Sequence, residues 1–317
     1  MDLAKGYWQV PLSDTSKELT AFRTPLGLFH FSKMPFGLHG APATFQRLMD
    51  QVLAGTNGYA AAYLDDVVVY SASWGDHVRH VKDVLDRIAT AGLTINPAKC
   101  AFAKREAEYL GYVIGGGIIK PQVQKLEAVQ KCPLPQTKTQ VRSFLGMAGW
   151  YRRFVPHFSA RAASLTDLTR KNSPVQVQWT EGARKAFKDI RSALCDEPVL
   201  YCPNFAEQFV LQTDASDLGI GAVLLQGEPD QRHPVAYISR KLYPRETRYS
   251  TVERECLAVK WALDAFRYYL LGREFLLAPA VDGPHAGLQR PDYLMVPVHA
   301  AISLHHQAYP WAEQCHC

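Results

Sequence analysis

The spacing of apolar and polar residues in the first third of the chain predicts an α/β unit. Residues Asp2 to Phe31 follow a strand-like pattern that is broken by Pro, Gly and Asp. The segment GAPATFQRLMDQVL predicts a helix that opens at Pro42, and GDHVRHVKDVLDRIATAGL has apolar residues at helical spacing up to a stop at Gly92. Between these helices, AAYLDDVVVY predicts two short strands joined by a turn.

The rest of the chain continues this mixture of helices and strands. CAFAKREAEYLGYVIGGGIIKP predicts strands around a glycine-rich turn, and the segment from Lys125 to Thr169 is mainly helical in pattern. After CDEPVLYCPNF, the segments QFVLQTDASDLGIGAVLLQ and HPVAYISRKL predict strands of one meander. STVERECLAVKWALDAFRYYLLG then predicts one long amphipathic helix that ends at Gly272. The predicted fold class is therefore α/β (α+β).

Composition indicates a folded protein with two or three compact units. The chain has 317 residues, of which 47% are hydrophobic and 21% are charged. No apolar run approaches the roughly 20 residues of a membrane-spanning helix, and the N-terminus lacks the residue order of a signal peptide. The seven cysteines are scattered and odd in number, which favours reduced thiols. We therefore expect an intracellular protein, cytoplasmic or nuclear and not secreted, with no membrane partner.

The net charge says little about function, whereas the acidic pair in AAYLDDVVVY indicates a candidate metal site. The net charge of +5 suits a polyanionic partner without requiring one. Asp65 and Asp66 lie in an otherwise apolar run, where two neighbouring carboxylates are costly unless their charge is cancelled. A divalent cation could cancel it, and the alternative is an ordinary hairpin with a solvated turn. With Asp2 as a further acid, carboxylates from separate strands would suit a cation pair about 3.5–4 Å apart, as in phosphoryl transfer.

Five segments carry a resemblance to a known family. In chain order they are MDLAKGYWQV, FRTPLGLFHFSKMPFGLHGAPATFQRLMD, YLDD, LTINPAKCAFAKREAEYLGYVI and RSFLGMAGWYRRFVPHFS. In these the chain resembles reverse transcriptases, most of all those of gypsy-type LTR retrotransposons, over about residues 2 to 277. The resemblance implies an RNA-directed DNA polymerase with ribonuclease H activity. It also implies Mg²⁺ as cofactor, with Mn²⁺ as a substitute, and template-primer, RNA–DNA hybrid and deoxynucleoside triphosphates as partners.

The resemblance assigns roles to residues around the acidic hairpin. Asp2, Asp65 and Asp66 match the palm carboxylates that are catalytic and hold magnesium, with Asp66 the least direct ligand. Tyr7 matches the aromatic residue that excludes a ribose 2′-hydroxyl, although a packed strand aromatic would look the same in sequence. These four residues make up the implied polymerase centre.

Further residues match the nucleotide and nucleic-acid contacts of the family. Phe36 and Gly37 match the segment that packs against the incoming nucleotide and the template base. Lys99 matches a lysine proposed to protonate the leaving pyrophosphate, and its alternative is a solvated surface lysine. The residues that match the hairpin gripping the primer end are Tyr109, Leu110, Gly111 and Tyr112. Arg152 and Arg153 lie on thumb-like helices and suit a phosphate backbone, but arginines at helical spacing are also commonly just solvated.

A second acidic constellation resembles a ribonuclease H centre. TDASDLGIGAVLLQ resembles the first strand pair of that domain and provides Asp214, while YSTVERECLAVKWAL resembles the helix with the second acid. Aligning ECLAV with the family pattern selects Glu255 over Glu253, so Asp214 and Glu255 are the implied catalytic and metal-binding residues. The third acid of the family belongs to a Thr-Asp-His motif, which Asp282 and His285 match only if insertions are allowed.

The resemblance also implies a domain plan. We expect a reverse transcriptase palm at 1–118, a thumb or connection at 119–195, and an RNase H-like domain at 196–317 with an irregular tail from about residue 278. Met1 stands directly before the first palm aspartate, so we expect the fingers region to be missing, and the tail resembles translation in a shifted frame. The alternative to an active polymerase–nuclease is therefore a catalytically inactive truncated remnant, at most a weak nucleic-acid-binding protein.

Overall fold

The protein is a mixed helix-and-sheet chain made of two compact units. A computed structural model describes residues 1–196, 198–279 and 294–296. The first unit is Met1–Tyr109 and the second is Leu110–Cys317. The alternation of helices and strands confirms the predicted α/β fold class. The division into palm, thumb and nuclease regions stays a prediction.

The first unit combines three helices with short antiparallel hairpins among its described residues. Its helices are α1 (Asp14–Glu18), α2 (Ala41–Val52) and α3 (Trp74–Thr90), and its strands are β1 (Phe22–Thr24), β2 (Gly27–Phe29), β3 (Ala60–Tyr63), β4 (Asp66–Val69) and β5 (Glu106–Tyr109). Strand β1 pairs with β2 and β3 pairs with β4, both antiparallel. Short 3-10 helices occupy Gly6–Gln9 and Pro97–Lys99.

The core of this unit lies between α2, α3 and the β3–β4 hairpin. Phe45 and Met49 of α2 are completely buried, and Val84 and Ile88 of α3 join them. The helical spacing seen in the sequence places these residues on one face of each amphipathic helix. Helix α3 begins where the Ser73 hydroxyl accepts a hydrogen bond from the backbone N–H of its third residue. This packing holds the acidic hairpin against a rigid layer.

The strand-like pattern predicted from Asp2 to Phe31 is only partly correct. Gly6–Gln9 is a 3-10 helix and Asp14–Glu18 is a short α-helix, whereas β1 and β2 follow as expected. The Ser13 side chain caps α1 by accepting the N–H of Ser16. Local capping by short polar side chains therefore overrides the weak strand signal there.

The second unit contains a helical part and a larger sheet. Its helices are α4 (Val123–Gln130), α5 (Lys138–Trp150), α6 (Phe158–Arg161), α7 (Ala163–Leu168), α8 (Glu181–Cys195), α9 (Thr251–Ala265) and α10 (Arg267–Leu270). Its strands are β6 (Tyr112–Gly115), β7 (Ile118–Pro121), β8 (Leu200–Tyr201), β9 (Phe209–Ala215), β10 (Gly219–Gln226), β11 (His233–Lys241), β12 (Phe275–Pro279) and β13 (Leu294–Val296). Strand β7 pairs antiparallel with both β6 and β8.

The larger sheet has the strand order β11-β10-β9-β12-β13. Strands β9, β10 and β11 form the predicted antiparallel meander, and β12 lies parallel to β9. A parallel neighbour requires a crossover, which α9 and α10 supply between β11 and β12. Side chains of α9 therefore pack on β9 and β10, where Leu211, Leu224 and Ala262 are buried together.

The long helix predicted to end at Gly272 is interrupted. Helix α9 ends at Ala265 and α10 begins at Arg267. Phe266, between them, has left the regular helical conformation and is 2% exposed within the core of the sheet. The interruption coincides with this buried ring, and a periodicity argument does not detect a change at a single residue.

Two further features follow from the side chains that the structure describes. The cysteines at positions 100, 132, 195, 202 and 256 are free thiols. None of the helices in the described part of the chain is both long and apolar enough to cross a membrane.

Candidate active sites

The segment at Asp2 runs beside the acidic hairpin. Asp2 forms an isolated antiparallel bridge with Asp66, and the Leu3 N–H donates to the Asp65 carbonyl at 3.0 Å. Asp65 follows Leu64 in the turn between β3 and β4, as the sequence predicts. Residues directly opposite each other in an antiparallel pair project to the same face of a sheet. Main-chain pairing therefore brings the three aspartates to one end of the hairpin.

A cavity of about 540 Å³ opens beside this hairpin. The residues with assigned roles that line it are Asp2, Tyr7, Phe36, Asp65 and Lys99. The Lys99 ammonium lies 3.7 Å from an Asp2 carboxylate oxygen, and the Lys99 side chain is 65% exposed. Gly37 is exposed, has a φ of +93° and does not line the cavity. Apart from Gly37 and Asp66, the residues predicted to form the polymerase centre and the nucleotide pocket line this one cavity.

Tyr7 is both packed and placed on the cavity wall. Its ring lies 5.4 Å from the Phe36 ring and 5.5 Å from the Phe45 ring, centroid to centroid. The neighbouring Gly6 is buried, and a Cβ at this position would lie 3.0 Å from Phe45 and 3.2 Å from the Asp65 Cβ. Glycine is therefore needed for the 3-10 helix to approach the acidic turn so closely. Both interpretations of Tyr7 from the sequence, packing and pocket lining, fit this position.

Asp66 faces a second cavity of about 570 Å³, which Asp2, Lys99 and Tyr109 also line. Burial raises the pKa of the Asp66 carboxyl, and the charges of Asp65 and Asp2 raise it further. Burial also raises the pKa of the Tyr109 phenol, with Asp66 adding to the shift. The carboxylates therefore repel one another at this end of the hairpin, and the oxygen-only donor set suits a hard divalent cation.

The carboxylates do not form a closed metal cage in this arrangement. Within residues 1–196, 198–279 and 294–296, no group of three or more His, Cys, Asp or Glu side chains is arranged to hold a metal ion.

The residues matched to the primer-gripping hairpin flank a two-residue turn. Tyr109 ends β5 and Tyr112 begins β6, and the intervening Leu110 and Gly111 have φ values of +50° and +84°. The Tyr151 hydroxyl donates to the Gly111 carbonyl at 3.0 Å. The turn is therefore tied to the end of α5.

The two arginines assigned to the phosphate backbone differ in their surroundings. Arg152 is exposed, whereas Arg153 is half-buried with its guanidinium 6.0 Å from the centre of the Tyr112 ring. Such a cation–π contact orients the ring as well as the cation. Arg152 therefore faces solvent, while Arg153 contacts its own chain.

The second acidic site joins β9 to α9. Asp214 lies near the end of β9, and Glu255 lies in the second turn of α9. Burial raises the pKa of the half-buried Glu255 carboxyl and the nearby Asp214 charge raises it further, while a hydrogen bond from the Ala215 N–H opposes both. The two carboxylates therefore lie close enough to repel each other.

The neighbouring acids have structural tasks. Glu253 accepts hydrogen bonds from the Ser250 N–H and hydroxyl, both at 2.8 Å, and so completes the capping box of α9. Asp217 is 88% exposed in a turn and pairs with Arg254. Geometry thus favours Glu255 over Glu253 at the site. Asp282 and His285 lie outside the described residues.

One residue at this site was not selected from the sequence. The His157 Nδ1 lies 3.4 Å from an Asp214 carboxylate oxygen, and both residues line a cavity of about 250 Å³. His157 precedes the sheet by a long stretch of chain, in a segment assigned to the thumb. No local pattern indicates that it returns to Asp214, because only the docking of α6 on β11 brings it there.

Two family models match separate parts of the chain. Residues 1–114 match the sequence model for reverse transcriptase (RNA-dependent DNA polymerase), and residues 179–277 match that for the RNase H-like domain found in reverse transcriptase. Both families generally depend on divalent metal ions.

Related Pol polyproteins cover most of the chain. The chain is 40% identical over 279 residues to the retrovirus-related Pol polyprotein from transposon 297 of Drosophila melanogaster, which covers 88% of the chain and 26% of that protein. For the corresponding protein of transposon gypsy, also from Drosophila melanogaster, identity is 38% over 283 residues, covering 86% and 27%. The Tf2-3 polyprotein of Schizosaccharomyces pombe is 34% identical over 272 residues, covering 85% and 20%. The chain thus spans about a quarter of the length of these relatives.

Solved structures show the same fold. The foamy viral protease-reverse transcriptase in complex with RNA/DNA hybrid has a TM-score of 0.79 at 21% sequence identity and covers 97% of this chain and 42% of that one. A second structure of that protein, in complex with dsDNA, has a TM-score of 0.78 at 22% identity, covering 96% and 63%. The chain therefore belongs with the retrotransposon Pol polyproteins and contains a reverse transcriptase region followed by an RNase H-like domain.

Proposed function

We propose that the chain is the part of a retrotransposon RNA-directed DNA polymerase that holds the palm carboxylates, followed by its ribonuclease H domain. The observation that supports it most is the common cavity of Asp2, Asp65, Tyr7 and Lys99. Acids from two separate segments, an aromatic wall and a cation are the groups that a deoxynucleoside triphosphate at a primer end would meet. A template-primer and deoxynucleotides are the proposed partners.

In the proposed polymerase, Asp2 and Asp65 would hold Mg²⁺, or Mn²⁺ in its place, with Asp66 in a supporting role. When bound, the ions supply electrostatic stabilisation of the attacking and leaving oxygens. Lys99, next to Asp2, is placed to neutralise charge on the leaving pyrophosphate and to donate a proton to it. The Tyr7 ring, held by Phe36 and Phe45, limits the space at the sugar.

In the proposed nuclease, Asp214 and Glu255 would hold the metal ions for hydrolysis of RNA in an RNA–DNA hybrid. The pKa of Glu255 is raised partly by Asp214, which supports their convergence. Two acids that repel each other in the free protein gain affinity for a cation, because the cation removes the repulsion.

A second candidate function is nucleic-acid binding without catalysis. It is favoured by the lack of any three-ligand group among the residues that the structure covers. A protein of this kind would bind a hybrid through basic side chains such as Arg152 but would neither extend a primer nor cleave RNA.

A paired assay separates these candidates. The purified full chain is given an RNA template with a DNA primer, deoxynucleotides and Mg²⁺, and separately a labelled RNA–DNA hybrid. Extension that Asp65→Asn abolishes supports the polymerase, and cleavage that Asp214→Asn abolishes supports the nuclease. Each variant is the matched control for the other activity. Hybrid binding with neither activity would establish the second candidate.

A further inference from the structure

We propose that His157 is a positioning residue of the nuclease site, which holds the Asp214 carboxylate in the orientation that binds a divalent metal ion. The inference rests on the proposed nuclease function. It assigns to the helical part of the second unit a direct contribution to the acidic site on the sheet.

Asp214 has two neighbours of different chemistry. The nearby Glu255 carboxylate repels it, and the His157 Nδ1 lies 3.4 Å from one Asp214 oxygen. The side chains of His157 and Asp214 are 53% and 42% exposed, respectively, and both line the 250 Å³ cavity. An imidazole that donates its Nδ1–H to one carboxylate oxygen leaves the other oxygen for a cation. Hydrogen bonds of this kind fix the orientation of metal-binding carboxylates.

The sheet leaves room for this imidazole. Gly221 of β10 lies directly opposite Asp214 of β9 in the antiparallel register. A Cβ on Gly221 would lie 3.4 Å from the His157 Nδ1, an ordinary van der Waals contact. The imidazole therefore lies over the strand position directly opposite Asp214.

The backbone of His157 is also unusual. Its φ of 52° and ψ of 32° lie in the left-handed region, which few residues other than glycine adopt, although asparagine, aspartate and histidine are enriched there. The residue stands at the start of α6, yet its side chain does not cap that helix. The imidazole therefore contacts Asp214 instead of its own helix.

Helix α6 is fixed to the sheet two residues further on. The Ser159 N–H donates to the Ser239 hydroxyl at 2.9 Å, and the Ser159 hydroxyl donates to the Ser239 carbonyl at 2.9 Å. Ser239 belongs to β11 and lines the same cavity as His157. Because this anchor is so near in sequence, the separation of the imidazole from Asp214 is set by hydrogen bonds to the sheet.

Two variants separate the side chain from the backbone. His157→Gly removes the donor but accepts the positive φ, and His157→Asn keeps an N–H donor near the Nδ1 position and also tolerates that conformation. Both are made in the full chain carrying Asp2→Asn and Asp65→Asn, so that the other acidic site does not contribute to metal binding. His30→Gln, at an exposed histidine of the first unit, is the matched control.

The measurement is the dissociation constant for Mn²⁺, from the electron paramagnetic resonance signal of the free ion. We expect His157→Gly to weaken binding about tenfold, the lower end of the effect of removing an outer hydrogen-bond partner. His157→Asn should bind close to the parent value, and His30→Gln should equal it. Cleavage of an RNA–DNA hybrid by the glycine variant should recover when Mn²⁺ is raised, because the loss is one of metal affinity.

The outcomes distinguish this inference from the proposed function. If Asp214→Asn weakens Mn²⁺ binding but His157→Gly does not, the nuclease site stands and the role of His157 is wrong. Equal losses in the glycine and asparagine variants would also overturn it, since the donor would then not matter. If Asp214→Asn leaves Mn²⁺ binding unchanged, the metal site of the proposed nuclease itself is refuted.

Discussion

Asp2 lies directly across an antiparallel bridge from Asp66, so two carboxylates of like charge stand side by side at the end of the acidic hairpin. The bridge is formed by backbone atoms, so the two side-chain charges do not contribute to it. Two like charges so close together lower the stability of the folded protein unless a cation is bound. Substitutions at this end of the hairpin therefore test how charge repulsion affects the stability of the first unit.

Asp66→Asn should raise the melting temperature of the metal-free protein slightly, because the residue is partly exposed and solvent screens much of the repulsion. The pKa of Asp66 is raised by burial and by its two acidic neighbours, so the charged form is disfavoured in the folded state. Stability of the wild type is therefore lost as pH rises from the ordinary pKa through the raised one. The gain in stability from Asp66→Asn should be complete at neutral pH and absent at pH values below the ordinary carboxyl pKa. Thermal melts at several pH values, in the presence of a chelator, would measure it.

Asp14→Asn is the matched control for this prediction. Lys17 lowers the pKa of Asp14 through a hydrogen bond and its charge, so removing that carboxylate should slightly destabilise the protein at neutral pH. If both variants shifted the melting temperature in the same direction, the explanation by local charge would fail.

Gly6→Ala should cost about 1–3 kcal/mol of unfolding free energy, because its Cβ would press on Phe45 and Asp65. Denaturant unfolding measures the effect. Gly75→Ala is the control: it lies in α3 of the same unit, with nothing within 4 Å of the added Cβ. That variant should gain stability from helix propensity, and a loss as large as that of Gly6→Ala would contradict the steric argument.

Tyr7→Ala should raise ribonucleotide incorporation roughly tenfold if the chain, or a longer form of it, extends primers, since removing the ring opens space at the sugar. Competition between ribo- and deoxynucleotides in primer extension gives the ratio. Trp8→Ala removes the next aromatic residue, which packs on Phe31 and Phe36 and does not line the cavity. An unchanged sugar preference in Tyr7→Ala would show that Tyr7 only packs in the core and does not select the sugar.

Glu255→Gln and Glu253→Gln should have opposite consequences despite their nearness in sequence. The first should abolish metal-dependent hybrid cleavage without loss of stability. The second should retain cleavage but lose about 0.5–2 kcal/mol, because it disrupts the cap of α9. Cleavage assays paired with unfolding curves would show the pattern, and the reverse result would show that the alignment of the helix is wrong.

Glu246→Ala should be among the most damaging substitutions in the second unit. Glu246 is 5% exposed and binds Arg240 through two hydrogen bonds of 2.6 and 3.1 Å, so its removal leaves a largely buried guanidinium without its counter-ion, at a cost of about 3–5 kcal/mol. Arg240 lowers the pKa of Glu246, and the stability from this pair should therefore be lost as pH falls below the ordinary carboxyl range. Urea unfolding at several pH values tests both statements; an acid stability profile unchanged by the substitution would rule out the pair as its source.

The sequence predicts what local pattern and spacing control. The two amphipathic helices of the first unit, the acidic turn at Asp65 and the β9–β11 meander all follow from periodicity and turn residues. The short helix at Asp14–Glu18 and the break at Phe266 do not, because a cap and one buried ring decide them. Among the site residues, the acids follow from motif resemblance, whereas the contact of His157 with Asp214 depends on long-range docking that no spacing encodes.

The anchoring of α6 on β11 affects how this nuclease could be separated from its neighbours. Residue 179, where the match to the RNase H-like domain begins, lies after α6 and α7. A fragment starting there would lack α6, so Ser239 of β11 would lose both of its hydrogen bonds to Ser159. Exchange of a segment at that boundary would therefore uncover part of β11, so the sequence match and the structural unit around this sheet begin at different residues.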